Sequence, residues 1–165
     1  MTRHTDNKIY SITFGGVGGQ GILKASEICG CAAMYAGYHV KKSEVHGMAQ
    51  RGGSVESHVR FGKQVASPLI SPGSADFLVC FHHEEHDRLE VFLKKDGVDL
   101  VEYLDRAKEA VEDPRCLNTC LVGVLSAKLP IKEKYWLQAI KAVFKPKIVA
   151  VNKKVFLEGR RMGQS

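Results

Sequence analysis

"FGGVGGQGILKA", residues 14–25, places five glycines in the seven positions 15–21, behind an apolar run and ahead of a segment with helical spacing. Gly16-Val17-Gly18-Gly19-Gln20-Gly21 meets the G-x-G-x-x-G pattern between a strand and a helix, the context in which that pattern carries a mechanism. Its first glycine allows a tight turn, the second a close backbone approach to phosphate, and the third close packing of helix on strand. A β-branched residue at Gly18 is therefore expected to strain the turn. The free N–H groups at the helix start favour an anion. Glycines equally suit a place where another chain's backbone comes close, so the motif alone leaves a nucleotide loop and an interface both open.

Outward from this stretch, "KIYSITF" (8–14) is β-branched and aromatic and reads as a strand. Residues 20–38 carry Ile22, Leu23, Ile28, Cys29, Ala32 and Ala36 near a three-to-four spacing, which predicts a helix ending near Gly37. "HVKKSEV" (39–45) predicts the next strand and completes a β-α-β unit. "SVESHVRFG" (54–62) alternates apolar and polar residues, so a strand is expected where a crossover helix would be usual. "ADFLVCF" (75–81) suits a central buried strand, and "HEEHDRLEVFLKK" (83–95) a helix stopped by Asp96-Gly97. "VDLVEY" suits a short strand or a helix start equally. Beyond Asp113-Pro114, two helices are expected on either side of Pro130, and Asn152 is expected to cap a last short helix. No repeat or linker divides residues 1–165, which are enough for a single core. The expectation is one α/β domain, three-layered and Rossmann-like, with an open, mostly parallel sheet and a helical C-terminal end.

A second loop follows the second strand. "SEVHGMAQRGG" collects Ser43, Glu44, His46, Gln50 and Arg51 around Gly47, Gly52 and Gly53, which supplies donors, an acceptor and a fixed cation. It is expected beside the first loop, where ligands of open α/β sheets bind. Glu44 is the nearby acid for a ribose, although Lys41 and Lys42 before it would attract phosphate instead. Two glycine-rich edges together make a site or an interface.

Composition excludes several classes. At 25% charged and 44% hydrophobic residues, with no apolar run near the roughly 18 residues of a membrane span, a soluble chain without a membrane partner is expected. The polar start "MTRHTDNK" has no apolar leader behind it, which points to the cytoplasm. Cys29, Cys31, Cys80, Cys116 and Cys120 sit in apolar segments without a C-x-x-C pair, so buried reduced thiols are expected. The net charge of +6 resides largely in lysines of the helical C-terminal third, which reads as a solvated face; no nucleic-acid partner is expected. His82 and His86 have the i, i+4 spacing of two-histidine metal sites but lack a third ligand, so a polar helix start is preferred and no metal is expected. Tyr135, Trp136, Leu137, Ile140 and Phe144 form an amphipathic stripe that suits core or a docking face.

"GVGGQGILKASEI", "KKSEVHGMAQRGGSVESHVRFG" and "SPLI" together resemble the gamma domain of the pyruvate/2-oxoacid ferredoxin oxidoreductase family, and within it the small, beta subunits of the indolepyruvate branch. The likeness is dense over residues 10–82 and returns at "NTCLVGVLSAKLP" and "VNKKVFLEG". It implies a role in oxidative decarboxylation of an aryl pyruvate to an acyl-CoA, with thiamine diphosphate and 4Fe-4S clusters on a large alpha subunit and electrons passed to ferredoxin. It implies no catalytic residue on this chain and coenzyme A as its candidate ligand. The matching positions are Gly15, Gly16, Gly18, Gly19, Gln20 and Gly21 in the first loop, with His46, Gly47, Met48, Gln50, Arg51, Gly52 and Gly53 in the second. They imply a first loop that faces a phosphate-bearing ligand or the partner, and an anion contact at Arg51. One departure stands out: only about 18 residues separate "KKDG" from "CLNTCLVGVL", where the family carries a further strand, so a missing edge strand is expected. The alternative is a stand-alone Rossmann-type nucleotide-binding module or scaffold; an NAD or flavin enzyme is disfavoured by the strand after the second loop and the lack of an acid/base pair.

Overall fold

The glycine-rich turn is preceded by β1 (Tyr10–Val17), the middle strand of a five-stranded sheet in a computed structural model that describes residues 7–46 and 52–165. The other strands are β2 (His39–His46), β3 (Ser54–Gly62), β4 (Ala75–Cys80) and β5 (Leu93–Asp99), in the order β2-β3-β1-β4-β5. β1 pairs in parallel with β4 and β4 with β5, whereas β3 runs antiparallel to both β1 and β2. β3 is thus the one reversed strand, inserted between the two arms of the β-α-β unit.

Period-two alternation sorts the side chains of the sheet. Ile12 and Phe14 lie opposite Val59 and Ser57 on one side and Phe77 and Val79 on the other, so one face is apolar. α1 (Ile22–Tyr35) covers it with Ala25, Ile28, Cys29, Ala32 and Ala33, small side chains that bring the helix close to the strands. Behind α1 come α3 (Leu104–Ala110), α4 (Leu117–Ser126), α5 (Glu133–Val143) and α6 (Pro146–Gln164). All ten residues of α4 are buried. The aromatic stripe joins the core: Trp136 and Ile140 are fully buried in it, and the partly buried Tyr135, Leu137 and Phe144 pack against it.

α4 and α6 touch backbone to backbone. A Cβ on Gly159 would overlap the Cys120 carbonyl, one on Gly123 the Phe156 carbonyl, and one on Gly163 would sit 2.6 Å from the Val124 carbonyl oxygen. The final helix is long, and Asn152 lies inside it rather than at its start. Its Nδ2 donates to the Ile148 carbonyl at 2.9 Å and its Oδ1 accepts from Thr119 Oγ1 at 2.7 Å, so it is a buried bridge to α4. Pro146, with φ suited to a first turn and no N–H to lose, opens the helix instead.

The segment 83–95 is not one helix. A 3₁₀ turn (His83–Glu85) leads into the short α2 (His86–Glu90), and β5 starts at Leu93. Leu89 is fully buried against Leu78 and Cys80, which anchors α2 to the second face of the sheet; Leu93 then pairs with Ala75. The spacing of Leu89, Phe92 and Leu93 came from a turn of helix followed directly by a strand. β5 is thus the edge strand, and the shortened connection after it, residues 100–115, holds helical turns and α3 but no further strand. Val98 and Asp99 end β5, and Leu100–Tyr103 form a 3₁₀ turn into α3, so "VDLVEY" contains both of its candidate structures.

The second face mixes polar Ser11, Thr13, His58, Arg60 and Asp76 with Leu78 and Cys80, and among the described residues its cover includes α2, Phe92 on the His58 ring and the connection 63–74. That connection is tied down through its carbonyls: Ala66 accepts from Lys41 Nζ at 3.0 Å, Ser67 from Arg60 Nη1 at 2.7 Å and Pro68 from Ser43 Oγ at 3.4 Å. The helical layers on the two faces are thus very unequal.

Helix contact through glycine backbones makes opposite mutational signs. Gly159→Val should cost about 3 kcal/mol or more, because neither helix backbone can yield locally. Gly30→Ala, whose Cβ would meet Lys42 Cδ at an ordinary 3.4 Å within α1, should gain about 0.5–1 kcal/mol. Urea denaturation of the two variants and the parent checks both.

Candidate functional site

The chain leaves β1 through Gly18, Gly19, Gln20 and Gly21 and enters α1 directly. Gln20 directs the turn from within. Its Oε1 accepts from the Val17 amide at 2.9 Å and its Nε2 donates to the Phe81 carbonyl at 2.9 Å, so one amide group joins the ends of β1 and β4. Gly16 makes room for that clamp: a Cβ there would stand 2.6 Å from Gln20 Oε1 and 2.9 Å from Phe81 Cβ. Gly15 accommodates Leu89 on the second face. Gly15 and Gly16 are accordingly structural and face inward, while the half-buried Gln20 also lines a cavity beside Gly19.

Gly21 is the demanding glycine at the helix start, with φ of 77° and its carbonyl accepting from Asn118 Nδ2 at 3.2 Å. Gly19 has φ of 92° with open space around it. Gly18 differs from its expected role. A Cβ there would meet Gly52 N at 3.6 Å, an ordinary contact, and its φ is not left-handed, so a side chain at this position does not strain the turn. What Gly18 does is donate its amide to the Gly53 carbonyl at 2.8 Å, the bond that brings the two glycine-bearing loops together.

α1 begins at Gly21 without a side-chain cap, and its first intrahelical bond runs from Ala25 N to the Gly21 carbonyl. The amides of Ile22, Leu23 and Lys24 therefore have no helical acceptor. They border a 440 Å³ cavity also lined by Gly18, Gly19 and His46. Across Gly19 lies a second cavity of 480 Å³, with Val111, Pro114 and Leu117 as its apolar wall and Lys108 and Arg115 as its cations. Unpaired amides, a helix N-terminus and the nearby Lys24 and Lys108 suit an anionic, phosphate-bearing group, while Arg115 is already held by Asp113 at 2.9 Å.

The second strand's residues are divided. His46 and the pair Gly52 and Gly53 reach the first loop. Ser43 holds the 63–74 connection on the opposite face, and Glu44 sits 3.8 Å from Lys42 Nζ and 4.0 Å from His46 Nε2. Because β3 separates β2 from β1, Glu44 stands one strand spacing, about 4.8 Å, further from the glycine turn than in a direct β1–β2 pairing. It is not placed for the ribose of a dinucleotide. Gly47, Met48, Gln50 and Arg51 lie outside the described residues.

A polar chain on the second face escaped the sequence reading. With its proton on Nε2, His58 donates to Glu56 Oε2 at 3.0 Å and accepts from Thr13 Oγ1 at 2.9 Å; Arg88 of α2 pairs with Glu56 and, at 2.6 Å, with Glu85, which accepts from Ser54 Oγ at 2.7 Å. The His58 hydrogen bond, with Arg88 beside it, holds the Glu56 carboxyl below its ordinary range against the cost of burial. For Glu85, burial acts upward, yet the bonds from Ser54 and Arg88 prevail and its carboxyl is also lowered. Thr13–His58–Glu56 has the order of a nucleophile, base and acid, but Thr13 and His58 are buried and meet no cavity wall described above, so the chain anchors α2 to β3. Its signal was the period-two run Glu56, His58, Arg60.

The histidines do not converge. His82 accepts from the Glu84 amide at 3.3 Å, His83 bonds Asp105 at 2.8 Å and His86 Nε2 bonds Asp99 at 2.5 Å. Among the described residues, the one group of three potential metal ligands is His86, Asp87 and Glu90, two of them exposed. The cysteines are buried apart from the half-buried Cys31, and burial pushes the Cys29 thiol to about 12 and the Cys120 thiol to about 11. No helix among the described residues is long and apolar enough to cross a membrane.

Two outcomes follow from this geometry. Gly21→Val should lower stability by about 1–2 kcal/mol through its left-handed φ, whereas Gly18→Ala should leave the melting curve within about 0.5 kcal/mol. The hydrogen bond to Asp99 raises the His86 pKa, so its stabilisation is full below the unfolded value near 6.5 and is lost as pH rises through the folded value. Denaturant midpoints across pH 6 to 9 should show a fall that His86→Asn lacks.

The chain matches the family model described as pyruvate ferredoxin/flavodoxin oxidoreductase over residues 11–105 and 100–162. It is 34% identical over 188 aligned positions to the indolepyruvate oxidoreductase subunit IorB of Thermococcus kodakarensis, across 90% of this chain and 93% of that one. The alignment is longer than the 165 residues here, so this chain carries gaps relative to it. The corresponding Pyrococcus horikoshii subunit is 48% identical over 91 residues, covering 55% of this chain and 45% of that one. In fold, the chain is similar to a keto/oxoacid ferredoxin oxidoreductase gamma subunit from Geobacter sulfurreducens, with a TM-score of 0.77 at 24% identity over 93% of this chain and 98% of that one. It is also similar to part of a 2-oxoglutarate:ferredoxin oxidoreductase from Magnetococcus marinus solved with 2-oxoglutarate, coenzyme A and succinyl-CoA, with a TM-score of 0.81 at 18% identity over 96% of this chain and 32% of that one. With a sheet, a glycine turn and a helical end that all fall inside these matches, the chain belongs to the pyruvate ferredoxin/flavodoxin oxidoreductase family and has the fold of its gamma subunits.

Proposed function

We propose that this chain is the small, non-catalytic subunit of a cytoplasmic 2-oxoacid ferredoxin oxidoreductase that acts on an indolepyruvate-type aryl pyruvate. The observation that carries the reading is the 34% identity to an indolepyruvate oxidoreductase subunit across nearly the whole of both chains. The reaction joins one 2-oxoacid and one coenzyme A to give an acyl-CoA, carbon dioxide and a proton, while two oxidised ferredoxins each take up one electron. Thiamine diphosphate and iron–sulfur clusters supply the carbanion and electron-transfer chemistry. Their place is a large partner subunit, because the described thiols here are dispersed over α1, β4 and the start of α4, and burial disfavours the thiolate that a cluster needs.

The residues that fit coenzyme A are those at the glycine turn. The Ile22, Leu23 and Lys24 amides would hold a phosphate, Gly18 and Gly19 would let it approach the backbone, and the cavity walled by Val111 and Leu117 would take an apolar arm. The displaced Glu44 disfavours the stand-alone dinucleotide enzyme.

Co-expression with a large thiamine-binding chain from the same source should give a complex on size exclusion with 2-oxoacid-dependent dye reduction that requires coenzyme A. Lys24→Glu should raise the KM for coenzyme A severalfold with assembly intact. Absence of a complex and of stimulation would overturn the reading, and saturable NAD binding by the lone chain would support the alternative enzyme.

A further inference from the structure

We propose that a cleft at the start of β1, on the loop-covered face of the sheet, binds the phosphate group of a small molecule. The cleft measures 360 Å³ and opens between the connection 67–74 and the strands, at the opposite end of β1 from the glycine turn. Strand register builds its floor. Lys41, Arg60 and Ser11 are successive partners across β2, β3 and β1, and the Ser11 amide donates to Asp76 Oδ2 of β4 at 2.8 Å.

Arg60 is the central cation. Its Nε donates to Ser11 Oγ at 3.2 Å and its Nη1 to the Ser67 carbonyl at 2.7 Å, which fixes the plane of the guanidinium. Among the described residues the guanidinium makes these two hydrogen bonds and no ion pair. Since Ser11 Oγ accepts from Arg60, its own proton is left to donate. Lys94 of β5 adds a second cation, and Ser71 and Ser74 add hydroxyls at the mouth, held by a turn in which the Ser74 amide donates to the Ser71 carbonyl at 3.1 Å.

The nearby carboxylate balances Lys94 and not Arg60. Asp76 already has Oδ1 on Lys94 Nζ at 2.6 Å and Oδ2 on the Ser11 amide, so both oxygens are engaged and Arg60 remains the unbalanced charge. A fixed guanidinium, a carboxylate-paired ammonium and three hydroxyl donors around one open cleft match a tetrahedral oxyanion, which accepts from several directions, better than a planar carboxylate. Leu69, 71% exposed at the rim, offers an apolar surface for the organic body of a phosphate monoester.

The test titrates isotope-labelled full-length chain with inorganic phosphate and then glycerol phosphate at constant ionic strength, following amide and arginine side-chain resonances. Saturable shifts at Ser11, Arg60 Nε and Ser74 are expected, with glycerol phosphate the tighter ligand and acetate weaker by roughly tenfold. Lys94→Gln and Ser74→Ala should each weaken phosphate binding severalfold while preserving the rest of the spectrum. These variants keep the test decisive even if Arg60→Gln fails to fold, since Arg60 also holds the 63–74 connection. Linear shifts without saturation, equal affinity in both variants, an equal response to acetate, or shifts confined to Gly19 and Leu23 would each overturn the proposal.

Discussion

Two hydrogen bonds made by one side chain hold the functional edge in shape. Gln20 ties the amide of Val17 to the carbonyl of Phe81, and so joins the C-terminal ends of the two central parallel strands across the turn. Because these groups are partly buried, leaving either unpaired would cost more than the bond itself contributes. Gly16 exists in this geometry as the space for the clamp, and α1 starts where the clamp directs the chain. The orientation of the three open amides at Ile22, Leu23 and Lys24 depends on that direction, as does the bond from Gly18 to Gly53.

The reversed β3 is the second constraint. A simple β-α-β unit would set β2 beside β1 and bring its terminal acid to a ribose, yet β3 takes that position and pairs with both. The glycine spacing of a nucleotide fold is retained while the partner acid is moved one strand outward. This is why an edge that looks like a dinucleotide site in one dimension suits a phosphate arm or a partner surface in three.

The two faces of the sheet use different physics. On the helical side, glycines let α4 and α6 meet at backbone distance, and Asn152 with Thr119 satisfies the polar groups that such closeness buries. On the other side a smaller apolar group of Leu78, Cys80 and Leu89, with Phe92 on His58 and the buried Val65 and Ile70 of the connection, is joined by charge-assisted bonds: Arg88 to two glutamates, and Lys41 and Arg60 to loop carbonyls. A face built this way carries clefts lined by polar groups.

Much of this was legible in the amino-acid order. The runs at 8–14, 39–45, 54–62 and 75–81 state their strands because β-branched and aromatic residues alternate or cluster there, and the glycine turn announces the edge at which ligands and partners meet. Local pattern failed where tertiary contact overrides it. Leu89, Phe92 and Leu93 mimic a helical face although a sheet contact at Leu89 ends the helix, and Asn152 mimics a cap although Thr119 draws it into the interior. The role of each glycine was also undecided in one dimension, since Gly18 has room for a side chain while Gly16 and Gly21 do not. The sequence by itself determined the family, the α/β class and the glycine-rich edge, because those reside in short-range residue types and spacing. Tertiary structure alone decided the strand order that displaces Glu44, the inward clamp of Gln20 and the polar cover of the second face, because each rests on contacts between residues far apart in the chain.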